Sequence, residues 1–261
     1  MRWLILTIVT FLGCTHEQSP PQLSAVPSGK KAGVVRVAGP VAAYGVLSHL
    51  AKTFMDRHRN HTIVVESPLG TNGAHKALKA GLLEAVVTIE AGEASKGRVF
   101  AQSQMVFALG PGIEERRFDD ESLKAVFNPD SSNWSSGVAR RYVKRSIHDP
   151  LNEIVLRYSP GLNKESLGSV LPRPNMSRHD VVALARRVAN ERGAFSLALE
   201  GNLKLFGIPV WTGTLPTALR TVSFVIYGDQ GDPTLGLFIK YILGPQGQSS
   251  ISELGFQTVS P

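Results

Sequence analysis

"VVRVAGPVAAYGVLSHLAKTFMDRHRNHTIVVESPLGTNGAHKALKAGLLEAVV", residues Val34–Val87, decides the fold class. Its opening run is short, β-branched and closed by Gly39, as a buried strand would be. From Tyr44 to Met55 the apolar residues Val46, Leu47, Leu50, Ala51, Phe54 and Met55 fall on one helical face. "HTIVVESP" then predicts a second strand, "AHKALKAG" a short helix stopped by Gly81, and "LEAVVTI" a third strand. Strands alternating with helices predict an α/β protein with a largely parallel sheet, whose loops at the strands' carboxyl ends face one crevice. One of those loops is Gly70-Thr71-Asn72-Gly73, which leaves backbone N–H groups open at a helix N-terminus, where an anion can sit. No Gly-Lys-Ser/Thr follows, so it is not a Walker loop.

Working outward, "SQMVFALGPG" reads as a strand and "DDESLKAVF" as an acidic-capped helix ending in the polar turn before Trp134. A strand is expected over Ala139–Arg145, followed by a helix with Asp149 as N-cap and Pro150 at its first position. Ser177 and Asp180 form a capping box for the next helix, which Gly193 stops. "AFSLAL", "LKLFGIPVW" and "RTVSFVIYG" read as strands, and two helices divided by Gly244 and Pro245 close the chain.

The formal net charge of +7 leaves nucleic acid, an anionic membrane surface or plain solubility open. There is no Lys/Arg block and no RNP, zinc-finger or basic-zipper pattern, so nucleic acid is not the expected partner. His49, His58 and His61 lack the second His or Cys pair that zinc sites of such spacing carry, and no metal or cofactor is expected. No serine-base-acid set or paired carboxylates stand out, which argues against an enzyme. "MRWLILTIVTFLGC" has Arg2, an apolar run too short to span a bilayer, and the chain's only cysteine, Cys14. It reads as a secretory signal over residues 1–14, and residues 15–32, without hydrophobic period, as a tether. "TFLGC" resembles the bacterial lipobox, with Phe11 where leucine is usual. That resemblance implies lipidation of Cys14 and anchoring in the periplasm or cell envelope; a plain signal peptide with an incidental cysteine is the alternative.

Three stretches together resemble the phosphate-type solute-binding proteins of bacterial ABC importers, which have the type II periplasmic binding fold. Val34–Val87 is similar to the family's strand, glycine loop, helix, strand, Gly-Ser-Gly-like loop, helix and "G-x-x-D" succession. "SLKAVFNPDSSNW" with "VKRSIHDP" resembles its "I-F-x-G…N-W" element and "R…S-G-T" anion loop. "FIKYILGPQGQSSISELGF" is similar to its terminal helix pair. The resemblance implies two α/β lobes, each a mixed sheet flanked by helices, joined by two crossing strands. Residues 33–104 and 220–261 would form lobe 1 and residues 105–219 lobe 2.

It also implies a small oxyanion, phosphate foremost, in the cleft, an ABC permease in the inner membrane as partner, and a monomer. The ligand contacts it implies are the N–H groups of Val41, Ala42 and Ala43, then Thr71, Asn72 and Gly73, and Glu84 as acceptor of the ligand's proton. From the second lobe it implies Arg145, whose planar fork can hold two oxygens, with Ser146, His148 and Asp149 beside it. The sequence departs from the family in two places: Val41–Ala43 carries no hydroxyl, and Asp149-Pro150 stands where Ser-Gly is usual. Either the ligand is protonated there, or Arg145 and Asp149 pair with each other. A secreted interaction or sensory protein with a degenerate site is therefore the alternative function.

Overall fold

The computed structural model describes residues 33–91, 97–128, 132–146, 149–159, 161–162, 168–169, 178–228 and 231–259. Cys14, the tether, His148 and the Ser177 half of the capping box lie outside them. The opening stretch folds as read: β1 (Val34–Ala38), α1 (Val41–Arg57), β2 (Thr62–Val65), α2 (Thr71–Lys79) and β3 (Ala85–Ala91). Gly81, at φ +68, turns the chain out of α2 in a conformation that a side chain would strain.

The remaining strands are β4 (Arg98–Leu109), β5 (Arg141–Tyr142), β6 (Arg145–Ser146), β7 (Gly168–Ser169), β8 (Ala194–Leu199), β9 (Trp211–Thr214) and β10 (Thr221–Gly228). The helices are α3 (Asp120–Phe127), α4 (Pro150–Tyr158), α5 (Arg178–Asn190), α6 (Glu200–Leu205), α7 (Thr217–Arg220), α8 (Pro233–Leu243) and α9 (Pro245–Glu253). Two expectations are corrected. "LKLFGIPVW" is not one strand: Leu203–Leu205 end α6, and the strand starts only at Trp211. Ala139–Arg145 likewise divides into the two-residue strands β5 and β6.

The main sheet runs β2-β1-β3-β10-β4-β8-β5, with β9 also beside β4. It is mixed rather than largely parallel: β2-β1-β3 and β5-β8 are parallel, while β10 is antiparallel to both β3 and β4, and β4 to β8 and β9. Alternating strands and helices at the start of the chain cannot announce a last strand that returns to the sheet's middle. β4 changes partners along its length. Arg98–Gln104 pair with β10, and Met105–Leu109 pair with β8 and β9. The opposing edge is formed by β9 and β10 in succession, interrupted by the single turn of α7.

Each half has an aromatic centre. Phe54 meets Phe238 and Tyr241 with centroids 5.3 and 5.5 Å away, and Phe224 meets Phe256 at 5.4 Å. In the other half Phe195 contacts Phe107, Trp134 and Tyr142 at 5.5, 5.1 and 5.0 Å. Such pairs add about 0.5–1.5 kcal/mol each beyond the area they bury. The halves also touch directly: buried Asn202 donates to the Ala42 carbonyl at 2.9 Å, and a Cβ on Gly45 would stand 2.7 Å from Leu205.

Candidate functional site

β1 and β2 are parallel neighbours, so α1 and α2 both start at the same edge of the sheet. The Leu69 N–H donates to the Gly39 carbonyl at 3.1 Å and ties the two connecting loops together. Pro40 precedes α1 and Gly70 precedes α2. Neither offers a side-chain cap, and neither first turn holds an acid. By contrast α3, α4 and α8 are capped by Asp119, Asp149 and Asp232. α6, α7 and α9 also start without a side-chain cap, so its lack is not peculiar to α1 and α2.

At α1 the start is enclosed. Val41 and Ala42 are buried, and among the described residues their N–H groups have no acceptor; the Ala43 N–H reaches the Pro40 carbonyl at 2.9 Å. The first N–H groups of any α-helix lack an intrahelical acceptor, and here they stay available to an external one. At α2 the start is open, with Thr71 half-buried and Asn72 and Gly73 exposed. A Cβ on Gly70 would meet nothing within 4 Å, and its φ of −59 suits any residue. Packing does not require that glycine, and the space beside it is free.

Glu84 accepts the Arg36 N–H through its carboxylate at 2.7 Å, and its own N–H donates to the Arg36 carbonyl at 3.0 Å. It thus extends the β1–β3 ladder at the amino end of β3, beside Arg36 in the middle of β1. The carboxylate at the other end is Glu90, which sequence reasoning missed. It accepts from Thr88 Oγ1 at 2.7 Å and from the Tyr227 hydroxyl at 2.5 Å. The Tyr227 ring lies 5.7 Å from that of His75 on α2. Burial, then the bond to Glu90, pushes the Tyr227 hydroxyl up to about 12.

Arg145 and Asp149 are both buried, and they bond each other. Arg145 Nη2 is 2.8 Å from Asp149 Oδ2, and Arg145 Nη1 donates to the Leu197 carbonyl at 3.0 Å. Asp149 Oδ1 accepts the Leu151 N–H at 3.0 Å and so caps α4. Burial opposes the guanidinium's charge, but the Asp149 carboxylate outweighs it and holds Arg145 above its ordinary value. Of the two sequence alternatives, the described residues contain the paired one. The carboxylate occupies the α4 N-terminus and part of the Arg145 fork. Arg145 Nε is enclosed with no partner among the described residues. Ser146 pairs through its backbone with Ser169. No hydrogen bond or ion pair among the described residues joins the Thr71 turn to the Arg145–Asp149 pair.

The histidines serve packing: His58 stacks on Phe54 at 4.6 Å, and His61 Nδ1 lies 2.9 Å from Thr234 Oγ1. Among the described residues no three His, Cys, Asp or Glu side chains come together as metal ligands, and no helix is long and apolar enough to cross a membrane.

No known family model matches the sequence, and no curated protein matches it. Solved structures do match the fold. A putative phosphate ABC transporter substrate-binding protein with bound phosphate from Clostridium perfringens superposes with a TM-score of 0.68 at 12% identity, covering 87% of this chain and 100% of its own. An ABC-type phosphate transport receptor from Vibrio cholerae gives 0.64 at 14% identity over 86% and 100%. The fold is the two-lobed type II periplasmic binding fold. It is not confined to transport receptors: the reduced regulatory domain of OxyR2 from Vibrio vulnificus gives 0.51 at 13% identity over 88% and 99%.

Proposed function

We propose that this chain is a substrate-binding lipoprotein of an ABC importer, monomeric and held at the periplasmic side of a membrane through Cys14, that captures phosphate or a similar small oxyanion. One observation carries the reading: the enclosed, acceptor-free N–H groups of Val41 and Ala42 stand beside the equally uncapped start of α2. Helix N-termini supply partial positive charge without a counter-ion of their own, and a dehydrated oxyanion needs several such donors. Thr71 would add a hydroxyl. Arg145, Ser146, His148 and Asp149 would face the guest from the second lobe, with the Asp149 carboxylate balancing the guanidinium's charge. Lobe 1 would comprise residues 33–104 and 220–261, and lobe 2 residues 105–219; the change of β4's partners between Gln104 and Met105 supports that division. Binding would draw the lobes together.

The test is thermal melting and titration calorimetry with phosphate, sulfate, molybdate and a phosphonate. A ligand at a hundred times its Kd stabilises by about 2.7 kcal/mol. The decisive variant is Thr71→Asp, which puts a carboxylate into the first turn of α2. A negative charge there favours the helix, so loss of binding would not reflect unfolding. Melting unmoved by every anion at millimolar concentration would sink the proposal. The second reading, an interaction or sensory protein with a closed site, is favoured by Asp149, which fills the α4 terminus and engages Arg145. It predicts capture of a membrane protein partner by a chain that retains no anion in equilibrium dialysis.

A further inference from the structure

Where β9 gives way to β10, the turn of α7 leaves an open groove of about 900 Å³ beside the two crossing strands. Gln104, the last β4 residue paired with β10, lines one side of it. Its charged lining is two guanidiniums, Arg117 and Arg220, and three carboxylates, Asp119, Asp120 and Glu121. Five charges of both signs thus share one concavity, yet among the described residues no ion pair joins either arginine to any of the three acids. Two of the carboxylates are partly engaged: Asp119 accepts the Ser122 N–H at 2.8 Å, and Asp120 accepts the Tyr158 hydroxyl. Glu121 and both guanidiniums have no hydrogen-bond or ion-pair partner among the described side chains.

We infer that this groove binds a small zwitterion of amino-acid or dipeptide type, its carboxylate held by Arg220 and Arg117 and its ammonium by Glu121 and Asp120. A planar guanidinium matches a carboxylate two oxygens at a time, and carboxylates are acceptor-only partners for an ammonium. A molecule carrying both charges can meet both sides of the groove at once. A simple anion would meet three carboxylates with one charge to offer, and a simple amine would meet two guanidiniums. The groove shares no lining residue with the proposed oxyanion site. Its walls include both segments that join the halves, so an occupant would bias how far they open.

Calorimetry and melting of the full chain with L-alanine and Ala-Ala, against acetate and methylamine at matched concentration, test the inference. The zwitterions bind and raise Tm, and the half-ligands do not. Arg220→Gln and Glu121→Gln each weaken zwitterion binding by roughly tenfold, about 1.4 kcal/mol. Glu121 is exposed, so Glu121→Gln folds as the parent does. Thr71→Asp retains zwitterion binding, which separates this groove from the oxyanion site. No binding of either zwitterion, an equal response to acetate, or binding unchanged in Glu121→Gln would overturn it.

Discussion

Removing the Asp149 carboxylate would leave the Arg145 guanidinium charged, enclosed and, among the described residues, bonded only to the Leu197 carbonyl. Breaking one side of a buried pair costs about 3–5 kcal/mol, because the surviving charge has neither water nor partner. Asp149→Ala is therefore expected to lose that much in urea denaturation, and Asp149→Asn less, since an amide oxygen can still cap α4. The double variant Arg145→Met with Asp149→Leu should recover most of the loss, because well-packed apolar replacements of buried pairs are often neutral. A cost below about 1 kcal/mol for Asp149→Ala would mean that the pair is wetter than its burial indicates. At this scale the sequence was partly readable. The i, i+4 spacing of Arg145 and Asp149 across a predicted cap made their pairing one of two open alternatives. The bond from the Arg36 N–H to Glu84 was not readable, because linear order does not give the register between β1 and β3.

Among the elements, α8 offers the clearest measurement. Asp232 Oδ1 accepts from the Thr234 and Leu235 N–H groups at 2.9 and 3.0 Å, and Thr234 in turn lies against His61 at the start of β2. Asp232→Ala should cost about 1 kcal/mol, read as a lower Tm and faster hydrogen exchange at those two amides, with Asp232→Ser close to the parent. Caps of this kind were legible because Asp-Pro pairs announce helix starts, as Asp149-Pro150 did for α4. The β1–α1–β2–α2–β3 run was legible because its period changes from 2 to 3.6 with glycine or proline at the joints. The amino half of β4 was not, since Arg98, Gln102 and Gln104 break up its apolar run. Nor was the end of α6: an apolar run as short as "LKLF" satisfies a strand and a buried helix equally.

For the whole molecule, the contact between α1 and the α6 end is the sensitive one. A Cβ on Gly45 would stand 2.7 Å from Leu205 and 3.0 Å from Phe206, across the boundary between the halves. Gly45→Leu is expected to cost about 1–3 kcal/mol as overpacking and to increase the radius of gyration in small-angle scattering. An unchanged radius would mean that the side chains at the α6 end yield instead of the halves.

β10 lies between β3 and β4, so residues 221–228 provide the hydrogen bonds along one edge of each. During synthesis some 110 residues separate β4 from that missing strand. The earliest-made portion of the protein must wait with bare strand edges until almost the last of the chain leaves the ribosome. Such late, long-range closure folds slowly and is exposed to aggregation in the interval.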